Sequence, residues 1–401
     1  MKIVIAGDFG YPHGLAPVAR ISAYAKGFIK NGVDIKVICF KALERSDNGV
    51  VNSEARGIHD GVPFEYSCGT SFRAKSFLGR RWLEIKGGWR LGRLLREGGT
   101  QGKPDAIILF SNDPIWIILT VILSKLMGIK CIQEKSEFPF VNEEMPWWRR
   151  IYAAIYTHSI YKMFDGIIAI STFLEDYFSK RIRKGARVLR IPILVDTEQF
   201  KPEESPQPKG RHLIAFSGSL GHPGEVSSLI QAFSVVAGKY PEWDLQIIGD
   251  EPGTDMLIRL RKLAEDQSLS ARIEFTGMIK HDDMPIYLRK AGILALLRSS
   301  GIFSTAGFPT KLGEYLSTAK PVVVTSVGDI PLFLQDRVSA YLVPPNDPEA
   351  SVQKLDEVLA NYDQALKVGQ EGRRVAIREF DYRSNCQRIV EFVRKLQEQT
   401  A

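Results

Sequence analysis

The chain has 401 residues, 44 % of them apolar and 25 % charged, a balance that fits about two to three globular domains and excludes a disordered tail, a fibre or a small disulfide scaffold. Its formal net charge of +7 is uneven: residues 1–200 hold 29 Lys and Arg against 20 Asp and Glu, whereas the remainder holds 24 against 26. The first half therefore suits an anionic partner, whether a membrane surface, a phosphorylated acceptor or nucleic acid.

The opening IVIAGD reads as a strand buried on both faces and not as the charged start of an export signal. A loop, DFGYPHGLAP, leads to the helical stretch VARISAYAKGFIKNG, where Ile21, Ala25 and Phe28 recur at helical spacing and Asn31-Gly32 supply the stop. IKVICF follows as a second strand, and this β-loop-α-β order is the unit of a parallel doubly wound sheet. Further strands are expected at PFEYSC, AIILFS, KCIQEK, DGIIAIS and RVLRIP, with helical segments between most of them. The longest apolar stretch, Pro114 to Leu123, is too short to span a bilayer, so any membrane contact is expected to be peripheral.

Around residues 199–210 the text QFKPEESPQPKG loses all periodicity and reads as a domain linker. The rhythm then restarts with HLIAFSGS, DLQIIGD, RIEFTG, GILALLR, PVVVTS and AYLVPP. The closing 375–397 segment is amphipathic, with Phe380, Ile389, Phe392, Val393 and Leu396 on its apolar side. The expectation is an α/β protein of two Rossmann-like doubly wound domains facing across a cleft, residues 1–200 and 201–376, with residues 377–401 as a terminal helix packing back on the first domain. Four scattered cysteines and six histidines form no ligand cluster, so no metal and no cofactor is expected, and a reducing cytoplasm fits.

The most informative segment is AGFPTKLGEYLSTAKPVVVTS, residues 306–326. Pro309 suits the first helical position, and the N–H groups near Thr310 and Lys311 are then free to meet an anion. Lys311 and Glu314 share one helix edge, while Leu312, Leu316 and Ala319 form an apolar side. Glu314 lies about 7 Å along the axis from Pro309, where the ribose of a nucleoside diphosphate held at the helix start would fall. The alternative from spacing alone is a solvated Lys-Glu pair on an ordinary helix.

GFPTKLGEYLSTAKPVVVTSVGDIPLFL resembles the donor-nucleotide motif of retaining GT-B glycosyltransferases, glycosyltransferase family 4. The phrases YAKGFIKNG, IPILVDTEQF, LIAFSGSL, LQIIGD, IEFTGMI and the closing helix fall in the family's order over nearly the whole chain. The resemblance implies that Glu314 holds the nucleotide ribose and that the backbone of Gly307, Phe308, Pro309 and Thr310 meets the donor sugar and its phosphates. It implies further that Gly277, Met278 and Ile279 face the base, and that the loop at His13 and Gly14 closes over donor and acceptor. The sequence departs from the family at Ala306, where a first glutamate would grip the sugar. It departs again after LIAFSGS, where Gly218, Ser219 and Pro223 stand near an expected Arg/Lys phosphate clamp. Lys311 is then the first candidate to meet the phosphates and Arg298, just past a strand end, the second, its alternative being a plain surface charge; His222, Arg20 and helix N-termini are further candidates. The implied reaction is retaining transfer from a nucleoside-diphosphate sugar without a bound metal, the departing phosphate helping to deprotonate the acceptor.

Glu134 and Glu137 in CIQEKSEFPF are candidates to orient an acceptor hydroxyl, the alternative being ion pairing beside Lys135. His13 has a structural alternative too. Residues 71–96 carry eight Lys and Arg interleaved with Phe72, Phe77, Trp82 and Trp89, and residues 146–164 combine paired Trp and Arg with Tyr. Such surfaces suit an anionic bilayer, the alternative being core aromatics beside solvated charges; no recognised nucleic-acid-binding module appears. The expected acceptor is a growing surface glycan or a polyprenyl-linked one at the cytoplasmic membrane face. Two other readings stand beside transfer: a nucleotide-sugar 2-epimerase, and a degenerate, non-catalytic nucleotide-sugar-binding subunit.

Overall fold

The opening apolar run forms β1 (Lys2–Gly7), buried along its whole length, as a strand covered on both faces must be. The computed structural model describes residues 1–14, 16–45, 51–97, 102–138, 147, 159–203, 211–221, 223–251 and 253–398. The chain divides into two units, Met1–Leu194 with Tyr382–Ala401, and Val195–Asp381.

In the first unit β1 is followed by α1 (Ala16–Lys30), β2 (Asp34–Cys39), β3 (Arg56–His59), β4 (Val62–Tyr66), α2 (Phe77–Glu97) and β5 (Ala106–Phe110). After these come α3 (Pro114–Met127), β6 (Lys130–Lys135), β7 (Gly166–Ala169), α4 (Thr172–Ser179) and β8 (Arg187–Arg190). The sheet runs β3-β4-β2-β1-β5-β6-β7-β8, parallel throughout except that β3 is antiparallel to β4. β3 is absent from the sequence expectation. Its signal is Asp60-Gly61, both at positive φ (49° and 77°), the turn chemistry of a two-residue hairpin.

The second unit begins with β9 (His212–Ser217), α5 (Pro223–Val236), β10 (Trp243–Ile248), α6 (Met256–Asp266), β11 (Ile273–Gly277) and α7 (Met284–Lys290). It continues with β12 (Ile293–Leu296), α8 (Ile302–Ala306), α9 (Thr310–Ser317), β13 (Val322–Thr325), α10 (Ile330–Phe333), β14 (Tyr341–Val343), α11 (Pro348–Ala360) and α12 (Tyr362–Val375). Its six strands are all parallel, in the order β11-β10-β9-β12-β13-β14. The order reverses between β9 and β12, and in the first unit between β1 and β5. Ligands of open α/β sheets bind outside the strand carboxyl ends at such switch points.

Two expectations about the connections need correcting. The segment read as a linker from residue 199 is folded at its start: Phe200 is buried, and Arg289 bonds the Gln199 carbonyl at 3.1 Å and the Glu203 carboxylate at 2.9 Å. Residues 204–210 lie outside the described residues. The closing amphipathic segment is two pieces. Phe380 belongs to the second unit, edge-on to Phe308 and Phe333. After Asp381 a separate helix, α13 (Tyr382–Glu398), joins the core of the first unit through Ile389, Phe392, Val393 and Leu396. Gly27 on α1 lets α13 approach, since a Cβ there would stand 2.8 Å from Cys386 Cβ and 2.9 Å from the Tyr382 carbonyl.

Candidate functional site

Three neighbouring strands of the second unit end on glycine. Gly218, Gly249 and Gly277 follow or close β9, β10 and β11, with φ of 145°, 132° and 69° that L side chains rarely adopt. The Gly218 amide donates to the Ile248 carbonyl at 2.9 Å, and the Gly249 amide to the Gly277 carbonyl at 3.0 Å. A Cβ on Gly249 would fall on the Gly218 carbonyl. The carboxyl edge of this half of the sheet is therefore bare backbone. Beyond Gly277, Met278 is exposed and Ile279 half-buried, two strands away from the switch point.

α9 stands over the Gly218 end of that edge. Its first residue is Thr310, one later than expected, with Pro309 in the capping position and no side-chain cap. The Tyr315 hydroxyl accepts from the Ser217 amide at 2.6 Å and lies 3.2 Å from Ser217 Oγ, which pins α9 to the last residue of β9. Phe308 anchors the approach, packing edge-on against Phe333 at 5.6 Å. The Gly307 amide is committed to the Phe303 carbonyl at 2.9 Å and Pro309 has no N–H. The amides expected to meet the donor thus narrow from four residues to Phe308 and Thr310. Ala306 is completely buried, so the position of the missing sugar-gripping glutamate is filled by core.

The charges gather at the switch point. Lys311 Nζ lies 4.4 Å from the centre of the Phe216 ring and 3.9 Å from Glu225 Oε2. Arg298, two residues past β12, sets its Nε 3.2 Å from Glu225 Oε1. Its Nη1 is buried with no hydrogen-bond partner among the described residues. Burial lowers the Lys311 pKa; Arg298 adds to the lowering, while Glu225 and Glu314 oppose it. Burial pushes the Glu314 carboxyl up to about 7, against the pull of Lys311. Two cations share one carboxylate, and one guanidinium N–H position is unsatisfied. A buried donor in that state costs free energy until an acceptor reaches it. Such an arrangement is suited to an anion.

Glu225 is the site residue that the sequence reading missed. It lies in the first turn of α5, where a carboxylate is favoured by the helix dipole, and an acid just after Pro223-Gly224 was the available signal. Ser219 is exposed, its hydroxyl bonding Glu251 and accepting from the Gly221 amide at 3.1 Å. His222 lies outside the described residues.

In the first unit, His13 is exposed; its backbone exchanges hydrogen bonds with the Asn52 side chain at 2.8 Å each way, and its ring meets His59 edge-on at 5.1 Å. Gly14 beside it is exposed too. Glu134 and Arg20 correct the expectation. They form an ion pair of 2.7 Å with both side chains only 2 % exposed, and Arg20 also bonds Tyr24, the Ile191 carbonyl and the Pro192 carbonyl. Arg20 is therefore not placed to meet a phosphate, nor Glu134 an acceptor hydroxyl. Glu137 is exposed just past β6. Between them burial brings the Lys135 ammonium down to about 8, and Lys135 donates to Asn112. The switch point of this unit is closed by a bond from Ser111 to Asp8, with Lys41 3.4 Å from Asp8 and 2.7 Å from Asp113. Most of the 146–164 aromatic and basic segment lies outside the described residues.

Residues 197–375 match the family model described as Glycosyl transferases group 1. The chain is 22 % identical over 242 residues to the GDP-mannose-dependent alpha-(1-6)-phosphatidylinositol monomannoside mannosyltransferase of Mycobacterium tuberculosis, covering 57 % of this chain and 62 % of that protein. The chain thus spans less than two thirds of that relative's length. Among solved structures, sucrose-phosphate synthase from Thermosynechococcus elongatus superposes with a TM-score of 0.74 at 15 % identity, over 98 % of each chain. Anabaena HepE in complex with UDP and glucose gives 0.71 at 16 %, over 98 % of this chain and 99 % of that one. With its two parallel-sheet units this chain has the GT-B fold, and its second unit carries the match to the group 1 glycosyl transferases.

Proposed function

We propose that the chain is a glycosyltransferase moving a sugar, with retention of configuration, from a nucleoside-diphosphate sugar to a glycan or lipid-linked acceptor in surface polysaccharide synthesis. One observation carries this reading: Arg298 and Lys311 converge on Glu225, Lys311 crossing the bare backbone of Gly218, with Arg298 Nη1 buried and unbonded among the described residues. The match of residues 197–375 supports it, as does the GDP-mannose dependence of the mycobacterial relative.

The chemistry follows from the charges. The bond between the sugar C1 and the diphosphate oxygen breaks as the acceptor oxygen bonds to C1, and negative charge grows on the departing phosphate, which takes up the acceptor's hydroxyl proton. Arg298 and Lys311, already held by Glu225, stabilise that charge without reorganising. An arriving anion also offsets the desolvation that lowers the Lys311 pKa. Glu314 sits one turn along α9 and accepts hydrogen bonds from the ribose hydroxyls. In the first unit His13 and Glu137 remain exposed candidates for acceptor contact. Among the described residues no helix is long and apolar enough to cross a membrane, and the anionic membrane face proposed for the acceptor would be met peripherally.

A thermal-shift screen of uridine and guanosine diphosphate sugars tests the donor, because a bound ligand stabilises the native state. Free nucleotide is then measured with and without a membrane extract, and the product anomer is read by NMR. Acceptor-dependent release with a retained anomer is expected. Interconverted sugar without an acceptor would point to an epimerase, and binding without turnover to a non-catalytic subunit. No stabilisation by any nucleotide would remove the reading.

A further inference from the structure

α9 runs from the carboxyl edge of the second sheet, where Lys311 stands, to the amino edge, where the chain turns through Ala319 into β13. The eight residues of the helix set its ends about 12 Å apart. α12 packs against that turn. Gly369 admits it, since a Cβ there would stand 2.4 Å from the Ala319 carbonyl oxygen. Between the turn and α12 lies a cavity of about 490 Å³, lined among others by Lys320, Leu366, Gln370, Arg373, Arg374 and Ile377. The last five fall at helical spacing and share one face of α12 and of the turn that follows it. The volume is that of a small-molecule site, and the place is the far side of the sheet from Gly218 and Arg298.

Lys320 sets the character of the cavity. It is only 8 % exposed, and among the described residues no carboxylate or carbonyl meets its ammonium. Burial lowers its pKa with no acidic neighbour opposing the shift. The dipole of α9 accounts for one cation at this end, and Arg373 is that cation, its Nη1 donating to the carbonyls of Ser317 and, at 3.0 Å, Thr197. Arg373 Nη2 lies 3.6 Å from Glu198, and Arg374 is engaged by Glu371. Three cations thus line the cavity against two carboxylates, both of which are themselves about half exposed to water. A buried ammonium without a counter-charge costs free energy that an arriving anion offsets. The rest of the wall is not ionic: Leu366 and Ile377 are apolar, and the Gln370 amide can bond a hydroxyl.

We propose that this cavity is a ligand site separate from the donor site and takes a small phosphate monoester, its phosphate on Lys320 with Arg373 and Arg374 beside it, its organic body against Leu366 and Ile377. A dianionic phosphate suits several flanking donors better than a single carboxylate does. The inference does not depend on the reading of the chain as a transferase.

Calorimetric titration of the full chain with glucose 6-phosphate, phenyl phosphate, inorganic phosphate and glucose tests it. The two monoesters carry the same charged group on a sugar and on an aromatic ring, so the tighter one identifies the body. At least one should bind about tenfold or more tighter than inorganic phosphate, and glucose should not bind. Lys320→Met should lose about tenfold or more of that affinity with Tm held or raised, because it removes a buried uncompensated charge. Ile377→Asp, at an exposed position, should weaken the monoester by repelling its phosphate. Arg298→Met should leave monoester affinity as it was. Acetic anhydride labelling read by peptide mass spectrometry locates the ligand, which should protect Lys320. Inorganic phosphate binding as tightly as both monoesters, no binding by either, Lys320 unprotected, or binding that Arg298→Met abolishes and Lys320→Met spares would overturn the proposal. Nucleoside-diphosphate affinity is read on the same preparation. A chain that binds nucleotide and ignores monoesters refutes this site alone, and one that binds monoesters at Lys320 but ignores nucleotides refutes the functional reading alone.

Discussion

Lys311 passes directly over Gly218: a Cβ on the glycine would stand 2.8 Å from Lys311 Cε and closer still to Nζ. The absence of a side chain at Gly218 is thus what lets the ammonium reach the switch point of the second sheet. Gly218→Ala should displace Lys311 and force an L residue to a φ of 145°, a strain on the order of 1–3 kcal/mol. Chemical denaturation should show that loss, and calorimetry should show nucleoside-diphosphate affinity lower by tenfold or more. Undiminished affinity would detach Lys311 from the anion site.

Glu225 holds both cations, so its replacement should separate their binding role from their structural one. Glu225→Gln keeps hydrogen-bonding atoms but removes the charge that competes with a phosphate. Diphosphate affinity should rise several-fold and fall more steeply with salt, while stability drops. Arg298→Met should act in the opposite sense, costing tenfold to a hundredfold in diphosphate affinity and leaving the buried Glu225 with Lys311 alone, 3.9 Å away. Titration of a nucleoside diphosphate at two ionic strengths distinguishes the pair.

Much of this arrangement could be read in the amino-acid text, and the gaps have physical causes. All six strands of the second sheet were visible as short, mostly apolar runs, because parallel strands covered on both faces keep few polar positions, fewest in the fully buried β12 and β13. Lys311, Glu314 and Arg298 were legible because each falls at a fixed offset from a strand or helix end. Glu225 was missed because Pro223-Gly224 marks only a helix start, and it is the tertiary fold that sets the acid between Arg298, past β12, and Lys311 on α9. Arg20 and Glu134 misled for the converse reason. A charge at a strand end looks available until a partner distant in sequence, here 114 residues away, is folded onto it. The break at Asp381 was hidden because Phe380 and Ile389 fit one amphipathic pattern while serving two different cores.

Glu314 gives the site a pH dependence whose sign is fixed. Its carboxyl titrates near 7 in the folded chain, above its ordinary 4.5, because burial disfavours the charge. The folded state therefore holds a proton that the unfolded state has lost, and stability falls as pH rises from about 4.5 to about 7. Glu314→Gln escapes this cost. Its Tm relative to the parent should be unchanged near pH 4 and a few degrees higher near pH 8, an effect moderated by the partial exposure of the side chain. Nucleotide affinity should move the other way. The ionised carboxylate accepts from both ribose hydroxyls, so the advantage of the parent over Glu314→Gln should widen between about pH 6 and about pH 8. A pH-independent ratio would remove the ribose assignment.

The Arg20–Glu134 pair should matter to folding and not to the donor. With both side chains 2 % exposed, removing one partner leaves a buried charge uncompensated, and Arg20→Met should destabilise the first unit by about 3–5 kcal/mol. The carbonyls of Ile191 and Pro192 lose their donors in the same step. Adding Glu134→Leu should recover part of the loss, because an apolar pair of similar volume avoids the desolvation that the ion pair suffers. The recovery will be incomplete where those carbonyls stay unbonded. Nucleotide affinity, measured below the melting range, should be the same in both variants and the parent. A selective loss of affinity in Arg20→Met would restore the guanidinium as a phosphate ligand and overturn its assignment as a buried strut of the first unit.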